Sequence, residues 1–390
     1  MKKFKNKVQF CFKRFFQFVF MLIYGKIKYK NNIVASENII KKKIENIFSD
    51  IKDSKNYFSY KIKNGRIYTD YVEQVAIIDG NTLCNEASFQ QISGELKDAK
   101  ENIVLTKGTP RIKKKIEGKV FSLVQGASGN KNYFHWLFDI LPKIKLCSEH
   151  YLLKEIDFFY LPSPQNFQKQ TLSIFNIKED KILDSNLYRH VQARELIVVD
   201  HPWYHRGFIL NQVEFLPGWI IHWLRDVYLK YAKKFQSNEK IYIDRTESKF
   251  NHCQIQNNNE IYNFLKEKGF SKYKVGELSF FEQIYLFNNA KIIIGAHGAA
   301  FTNLVFSESN TKIIEIRPPA QTNNNYKRIS QIRNLNYRLI KTKELDENQK
   351  KYGDIKELKE DGLKTMSDGA FTSHDPLRDA YSKKIGRAHV

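Results

Sequence analysis

A chain of 390 residues is too long for one ordinary core and fits two domains of about 150 residues each, with terminal segments besides. Its 42% hydrophobic and 14% aromatic content excludes the disordered and collagen-like classes. The net charge of +22, from 64 Lys and Arg against 42 Asp and Glu, points to anionic partners, although stretches such as "NNIVASENIIKKKIENIF" equally fit an AT-rich coding bias. Cys11, Cys84, Cys147 and Cys253 lie far apart without metal-ligand or paired spacing and read as reduced thiols.

The first 30 residues, "MKKFKNKVQFCFKRFFQFVFMLIYGKIKYK", set an apolar stretch, Phe15 to Tyr24, between basic flanks. As a helix this stretch would span about 15 Å, half a bilayer core, so it does not cross a membrane. "YGKIKYKNN" makes a poor cleavage site for a signal peptide. Residues 1–35 are predicted as a basic amphipathic segment that lies on an anionic membrane surface or packs as an ordinary first helix.

Residues 36–118 alternate weakly, as in "GRIYTDYVEQVAIIDG", and predict short strands and hairpins. From residue 119 the rhythm becomes strand and helix in turn: "KVFSLVQGA", "NYFHWLFDILPKIKLC", "IDFFYLP", "QNFQKQTLSIF", "KILD" and "ELIVVDHP". That alternation predicts a parallel sheet with helices on its faces. A break at "DHPWYHRG" precedes a long helix, "FLPGWIIHWLRDVYLKYAKKF", and then the rhythm resumes. "KIYIDR", "YKVGE", "KIIIGA" and "KIIEIRP" are its strands; "NNNEIYNFLKEKGF", "SFFEQIYLFNNA" and "AAFTNLVF" its helices. The domains are therefore drawn at 36–204 and 205–345, and the aperiodic residues 346–390 as a charged or disordered tail.

In "KIIIGAHGAAF", a β-branched strand runs into His297 between Gly295 and Gly298. Ligands of open parallel sheets bind outside the carboxyl ends of strands, where a following helix presents unbonded N–H groups to a phosphate. The imidazole can add a hydrogen bond to a diphosphate whose charge grows as it leaves. The stretch is neither a phosphate-binding loop of the Gly-Lys-Ser/Thr kind nor a dinucleotide fingerprint. Glu315, 18 residues later in an apolar strand, either accepts from ribose hydroxyls or pairs with Arg317. His135 and Asp139, four apart on one helical face, either activate an acceptor hydroxyl or solvate one side of a core helix. Arg245 ends a strand where it can neutralise phosphate, or is a surface arginine. His201, His205, His222 and the aromatic residues Trp203, Tyr204, Trp219 and Trp223 either line a cleft or fill the domain junction.

Taken in order, "NYFHWLFDILPK", "IYIDR", "NNNEIYNFLKEKGF", "LSFFEQIYLFNNAKIIIGAHGAAFTNLVF" and "IIEIRPP" resemble the glycosyltransferase 61 family over residues 119–320. The resemblance implies an α/β fold of GT-B type: two Rossmann-like domains facing a central cleft, acceptor on the first, nucleotide-sugar on the second, with no obligatory metal or other cofactor. It implies that His297, Gly298 and Ala299, with Gly295, hold the diphosphate and Glu315 the nucleoside end. Arg245 and Gln283 fall on donor-binding positions, and His135 and Asp139 on the acceptor-activating element. After Arg245 the family carries further arginines; here "TESKFNHCQIQNNNE" offers only Lys249 and His252.

The expected function is inverting transfer from a nucleotide-diphosphate sugar to a polysaccharide or lipid-linked glycan in bacterial capsule or O-antigen synthesis. The expected location is cytoplasmic, on the inner face of the plasma membrane. A non-catalytic glycan- or polyanion-binding protein of the same fold is the alternative. Nucleic acid is not expected, because no recognisable module interleaves basic and aromatic residues.

Overall fold

The computed structural model describes residues 2–30, 36–45, 47, 56–71, 74–92, 95–124, 131–204, 207–208, 216–246, 253, 255, 257–318 and 321–341. The tail from 346, Lys249, His252 and His205 lie outside these residues. The chain divides into two units, Met1–Ile220 and Ile221–Val390. This division lies beyond the sequence break at 204/205 because Trp219 belongs to the first unit. Its indole N–H donates to the Tyr57 hydroxyl at 3.2 Å, and the two rings meet edge-on.

In the first unit a helix, α1 (Lys2–Tyr24), precedes strands β1 (Tyr57–Lys63), β2 (Arg66–Tyr71) and β3 (Gln74–Asp79). Then follow β4 (Lys114–Ser122), the helical run α2 (residues 133–148), β5 (Phe158–Leu161), α3 (Asn166–Ser173), β6 (Ile182–Asp184) and β7 (His190–Val199). The strands β6-β5-β4-β7 lie side by side and parallel, as the alternating rhythm predicts. β7 is the seam of the sheet. One edge pairs with β4; the other pairs antiparallel with β1 along Glu195–Val199 and with β2 along His190–Gln192. The hairpins expected before residue 118 thus extend the same sheet. Val120, Phe121, Leu196 and Ile197 on its strands and Trp136, Leu137, Phe138 and Ile140 of α2 are buried.

The second unit begins within α4 (Gly218–Tyr228). It holds β8 (Lys240–Ile243), α5 (Asn258–Glu267), β9 (Ser271–Tyr273), α6 (Phe280–Asn289), β10 (Ile292–Ala296), β11 (Lys312–Arg317), α7 (Asn325–Ile332) and β12 (Asn336–Lys341). All five strands are parallel, in the order β9-β8-β10-β11-β12. Counted within the unit this is 2-1-3-4-5, a doubly wound order whose direction switches between β8 and β10. Ile293 and Ile294 are buried, as a β-branched run in a sheet covered on both faces requires.

Three segments differ from their predicted form. The long helix expected over residues 215–235 is α-helical only over Gly218–Tyr228 and ends in a 3₁₀ turn, Leu229–Tyr231. "AAFTNLVF" winds as a 3₁₀ helix, Ala299–Phe306, in which Phe301 to Phe306 are all buried. "YKVGE" is strand only to Tyr273, then a 3₁₀ turn, Val275–Glu277.

His190, buried at the start of β7, gives the first unit a built-in acid sensitivity. Arg66 Nε–H donates to its Nε2 at 3.1 Å, so the ring proton sits on Nδ1 and faces the Arg111 carbonyl, also at 3.1 Å. Burial, and then the Arg66 charge, lowers the imidazole from 6.5 to about 3. The unfolded chain takes up a proton near 6.5 that the folded ring refuses until about 3. Stability is therefore complete above the upper value and declines as pH falls through that window, by as much as a few kcal/mol. Acid melts should show Tm falling across it. His190→Gln, which can accept from Arg66 and donate to the carbonyl without titrating, should flatten the fall; an unchanged slope would assign it to other groups.

Candidate active site

Asn132 starts α2: its side chain accepts from the backbone N–H groups of Phe134 (3.0 Å) and His135 (3.4 Å). Residues Trp136–Ile140 then widen into a π turn, closed by Leu141 N–H to the Trp136 carbonyl at 3.0 Å. Pro142 explains the widening, since it has no N–H to give to the preceding turn and its ring would clash there. His135 precedes this bulge and Asp139 lies within it, and His135 Nδ1 lies 2.7 Å from Asp139 Oδ2.

Asp139 is fully buried, whereas the His135 side chain is 30% exposed. The second carboxylate oxygen, Oδ1, accepts from Trp203 Nε1–H at 2.8 Å. The Tyr204 hydroxyl lies 3.4 Å from His135 Nδ1, and burial, reinforced by the Asp139 charge, pushes its ionisation far above the usual phenol range. Tyr204 stacks on His201 with centroids 4.1 Å apart. His201 Nδ1 accepts from the backbone N–H groups of Trp203 (3.3 Å) and Tyr204 (3.0 Å), which puts its proton on Nε2, 4.0 Å from Asp139 Oδ2. One turn beyond Asp139, Lys143 is 1% exposed and donates to the Val124 carbonyl at 3.3 Å. Burial pulls its ammonium well below the usual range, against the opposing charge of Asp139.

Asp139 is thus a buried, saturated acceptor, and His135 is the member of the pair that reaches solvent. A neutral His135 keeps its proton on Nδ1, against the carboxylate, and presents a basic lone pair at Nε2.

The second constellation sits at the switch point of the second unit, where β8 delivers Arg245 and β10 delivers His297 and Gly298. The His297 backbone N–H bonds the Ile316 carbonyl at 2.8 Å, carrying the β11 ladder past the end of β10. The Arg245 guanidinium lies against Gly298: a Cβ there would fall 0.9 Å from Nη1 and 2.2 Å from Cζ. Gly298 has an extended backbone (φ 168°), so it is this close approach that excludes a side chain. Gly295 is packed against Ile243, whose Cβ would be 2.8 Å from an added Cβ.

Beneath this contact His297 Nδ1 meets Glu315 Oε1 at 2.5 Å, and the Tyr337 hydroxyl donates to the other carboxylate oxygen. Burial and then Glu315 push the Tyr337 phenol far up, so it remains a donor. Asn323 Nδ2 is 3.4 Å from His297 Nε2, and the Tyr326 ring lies 5.1 Å from the imidazole. Arg317, the alternative partner of Glu315 in the sequence, donates to the Asn323 carbonyl. Gln283 gives its amide N–H to the Leu278 carbonyl and accepts from Asn303, both at 3.0 Å, so it braces the 3₁₀ segment that Ala299 begins.

The two histidines are held alike. Each has Nδ1 on a buried carboxylate whose other oxygen takes an aromatic N–H or O–H. With Nδ1–H committed to Glu315, His297 can donate from Nε2 to an anion only as the doubly protonated ring. Among the described residues no group of three or more His, Cys, Asp and Glu is placed to hold a metal ion.

The first unit thus holds an imidazole paired with a buried carboxylate, and the second an arginine at the switch point of its parallel sheet, groups of the kind that proton and phosphate chemistry can use. The protein is a glycosyltransferase: residues 133–314 match the family described as Glycosyltransferase 61. No curated protein matches the chain. The matched stretch runs from the start of α2 to β11, covering His135, Asp139, Arg245, Gln283, Gly295, His297, Gly298 and Ala299; Glu315 is the next residue after it. The sequence did not single out Trp203 as a partner of Asp139, nor Tyr337 and Asn323 at all. A signal for Trp203 lay in "DHPWY", which follows the strand parallel to the one that leads into His135.

Proposed function

We propose that this glycosyltransferase is an inverting enzyme of GT-B type, moving a sugar from a nucleotide-diphosphate donor to a polysaccharide or lipid-linked glycan in bacterial surface polysaccharide synthesis. In this reading His135 Nε2 takes the acceptor hydroxyl proton as that oxygen bonds the anomeric carbon. The bond to the diphosphate breaks on the opposite face, and the nucleotide leaves with the electron pair. Asp139 holds the His135 tautomer and meets the charge the ring acquires. Arg245, protonated His297 and the first N–H groups of the 3₁₀ segment receive the diphosphate. Glu315 then serves the donor by orienting His297, with both oxygens already occupied. The acceptor class rests on the family resemblance.

The observation that carries the reading is the Arg245 guanidinium laid on Gly298 beside His297 at the switch point. Thermal shifts against a panel of nucleoside diphosphates and their sugars test it. One nucleotide class should stabilise the protein by about 2.7 kcal/mol at a hundred times its Kd. Arg245→Ala should lose that shift. If no nucleoside diphosphate moves the midpoint, the donor assignment fails.

A further inference from the structure

Among its described side chains, helix α1 meets the first unit along one face. Met21 packs on Gly108, where an added Cβ would fall 2.7 Å from Met21 Cγ and where φ is +64°. The Tyr24 hydroxyl accepts from Lys113 N–H at 3.1 Å, and its ring meets His190 edge-on at 5.1 Å. Gln17, Phe20, Met21 and Tyr24, spaced i, i+3, i+4 and i+7, are the half-buried side of the helix. Phe12, Phe15, Phe16, Leu22 and Ile23, at i, i+3, i+4, i+10 and i+11, form the opposite stripe and are exposed, Leu22 to 71% and Phe12 to 63%. Phe18 beside them is exposed as well.

We infer that this stripe is a docking face for an anionic bilayer surface, with the helix lying in the plane of the headgroups. Charge selects this occupant. Residues 1–30 carry nine lysines and arginines and no aspartate or glutamate, so the face has no acidic group for a basic partner. The same excess sets a second copy of the helix against like charge, while phosphatidylserine or phosphatidylglycerol headgroups complement it and the acyl boundary takes the phenylalanines. No helix among the described residues is long and apolar enough to cross a membrane, so the helix lies on the surface. This surface is separate from the proposed chemistry, and either can fail alone.

Co-sedimentation of the full chain with phosphatidylcholine vesicles, with and without phosphatidylserine, tests the inference. Partition should be at least about tenfold greater onto the anionic vesicles and fall in high salt. Phe12→Ser/Phe15→Ser/Phe18→Ser, on an exposed face, should lose that partition and keep its melting temperature. Lys13→Glu/Arg14→Glu should weaken partition onto anionic vesicles alone. Equal binding to neutral vesicles, undiminished binding by the serine variant, or a concentration-dependent dimer that the serine variant abolishes would each overturn it. Nucleotide thermal shifts in the same variants should match wild type, which separates loss of docking from failure of the donor site.

Discussion

Asp139→Asn should cut kcat by about 10³ to 10⁴, although the side chain changes by one atom and stays buried. The reason lies with Trp203. Its indole N–H donates to Oδ1 at 2.8 Å and can be satisfied only by an acceptor, so the side-chain carbonyl of the introduced asparagine must turn that way. The amide nitrogen is then left facing His135 Nδ1, at a position where a 2.7 Å contact now exists. Two donors cannot meet there, so His135 gives up its Nδ1 proton and carries it on Nε2. That tautomer has no lone pair for an acceptor hydroxyl, and the base is lost while the ring stays in place.

The same argument predicts an unusual rescue. In Asp139→Asn/Trp203→Phe the amide no longer owes its carbonyl to the indole and can rotate to accept from Nδ1–H. Activity should rise at least about tenfold above that of the single Asn variant, although Trp203→Phe alone removes a buried hydrogen bond. Measuring kcat and its pH profile for the four proteins decides the matter, with melting temperatures to confirm folding. His135→Ala fixes the floor. If His135→Ala keeps full activity the base assignment fails; if it is inactive but the double variant is no better than Asp139→Asn, Trp203 does not set the tautomer.

What could be read in advance follows from how far each feature reaches along the chain. His135 and Asp139 are one helical turn apart, and Gly295, His297 and Gly298 occupy one strand end, so local periodicity reveals them. The parallel sheets were visible in the same way, because each strand and helix carries its own pattern. Trp203 reaches Asp139 only because β7 lies next to β4, a fact of strand order that no local pattern encodes. Tyr337 reaches Glu315 because β12 pairs with β11, Glu315 standing in register with Leu339 two residues on. The contact of Arg245 with Gly298 likewise depends on β8 and β10 being neighbours although α5, β9 and α6 separate them in sequence. Proline and π winding alter a helix locally, yet the bulge at Trp136–Ile140 left the His135–Asp139 pairing intact.

Gly298→Ala should fold normally and lose about 10² to 10³ in transfer efficiency, the scale of removing one strong anion donor. At φ 168° an alanine carries no backbone penalty, so the cost falls on what occupies the space. That occupant is Arg245, with Nη1 0.9 Å and Cζ 2.2 Å from the new methyl. The guanidinium is the far end of a flexible side chain and can swing away with little loss of stability, but it then leaves the place where the diphosphate would meet its paired N–H groups. Arg245→Ala should therefore cost about as much as Gly298→Ala, and the double variant no more than either, because both remove one interaction. Arg245→Lys should recover only part of the activity, since an ammonium keeps the charge and loses the fork. A further drop when Gly298→Ala is added to Arg245→Ala would mean that the methyl disturbs the His297 turn itself, and the transfer defect would then belong to His297 and Glu315 rather than to the arginine.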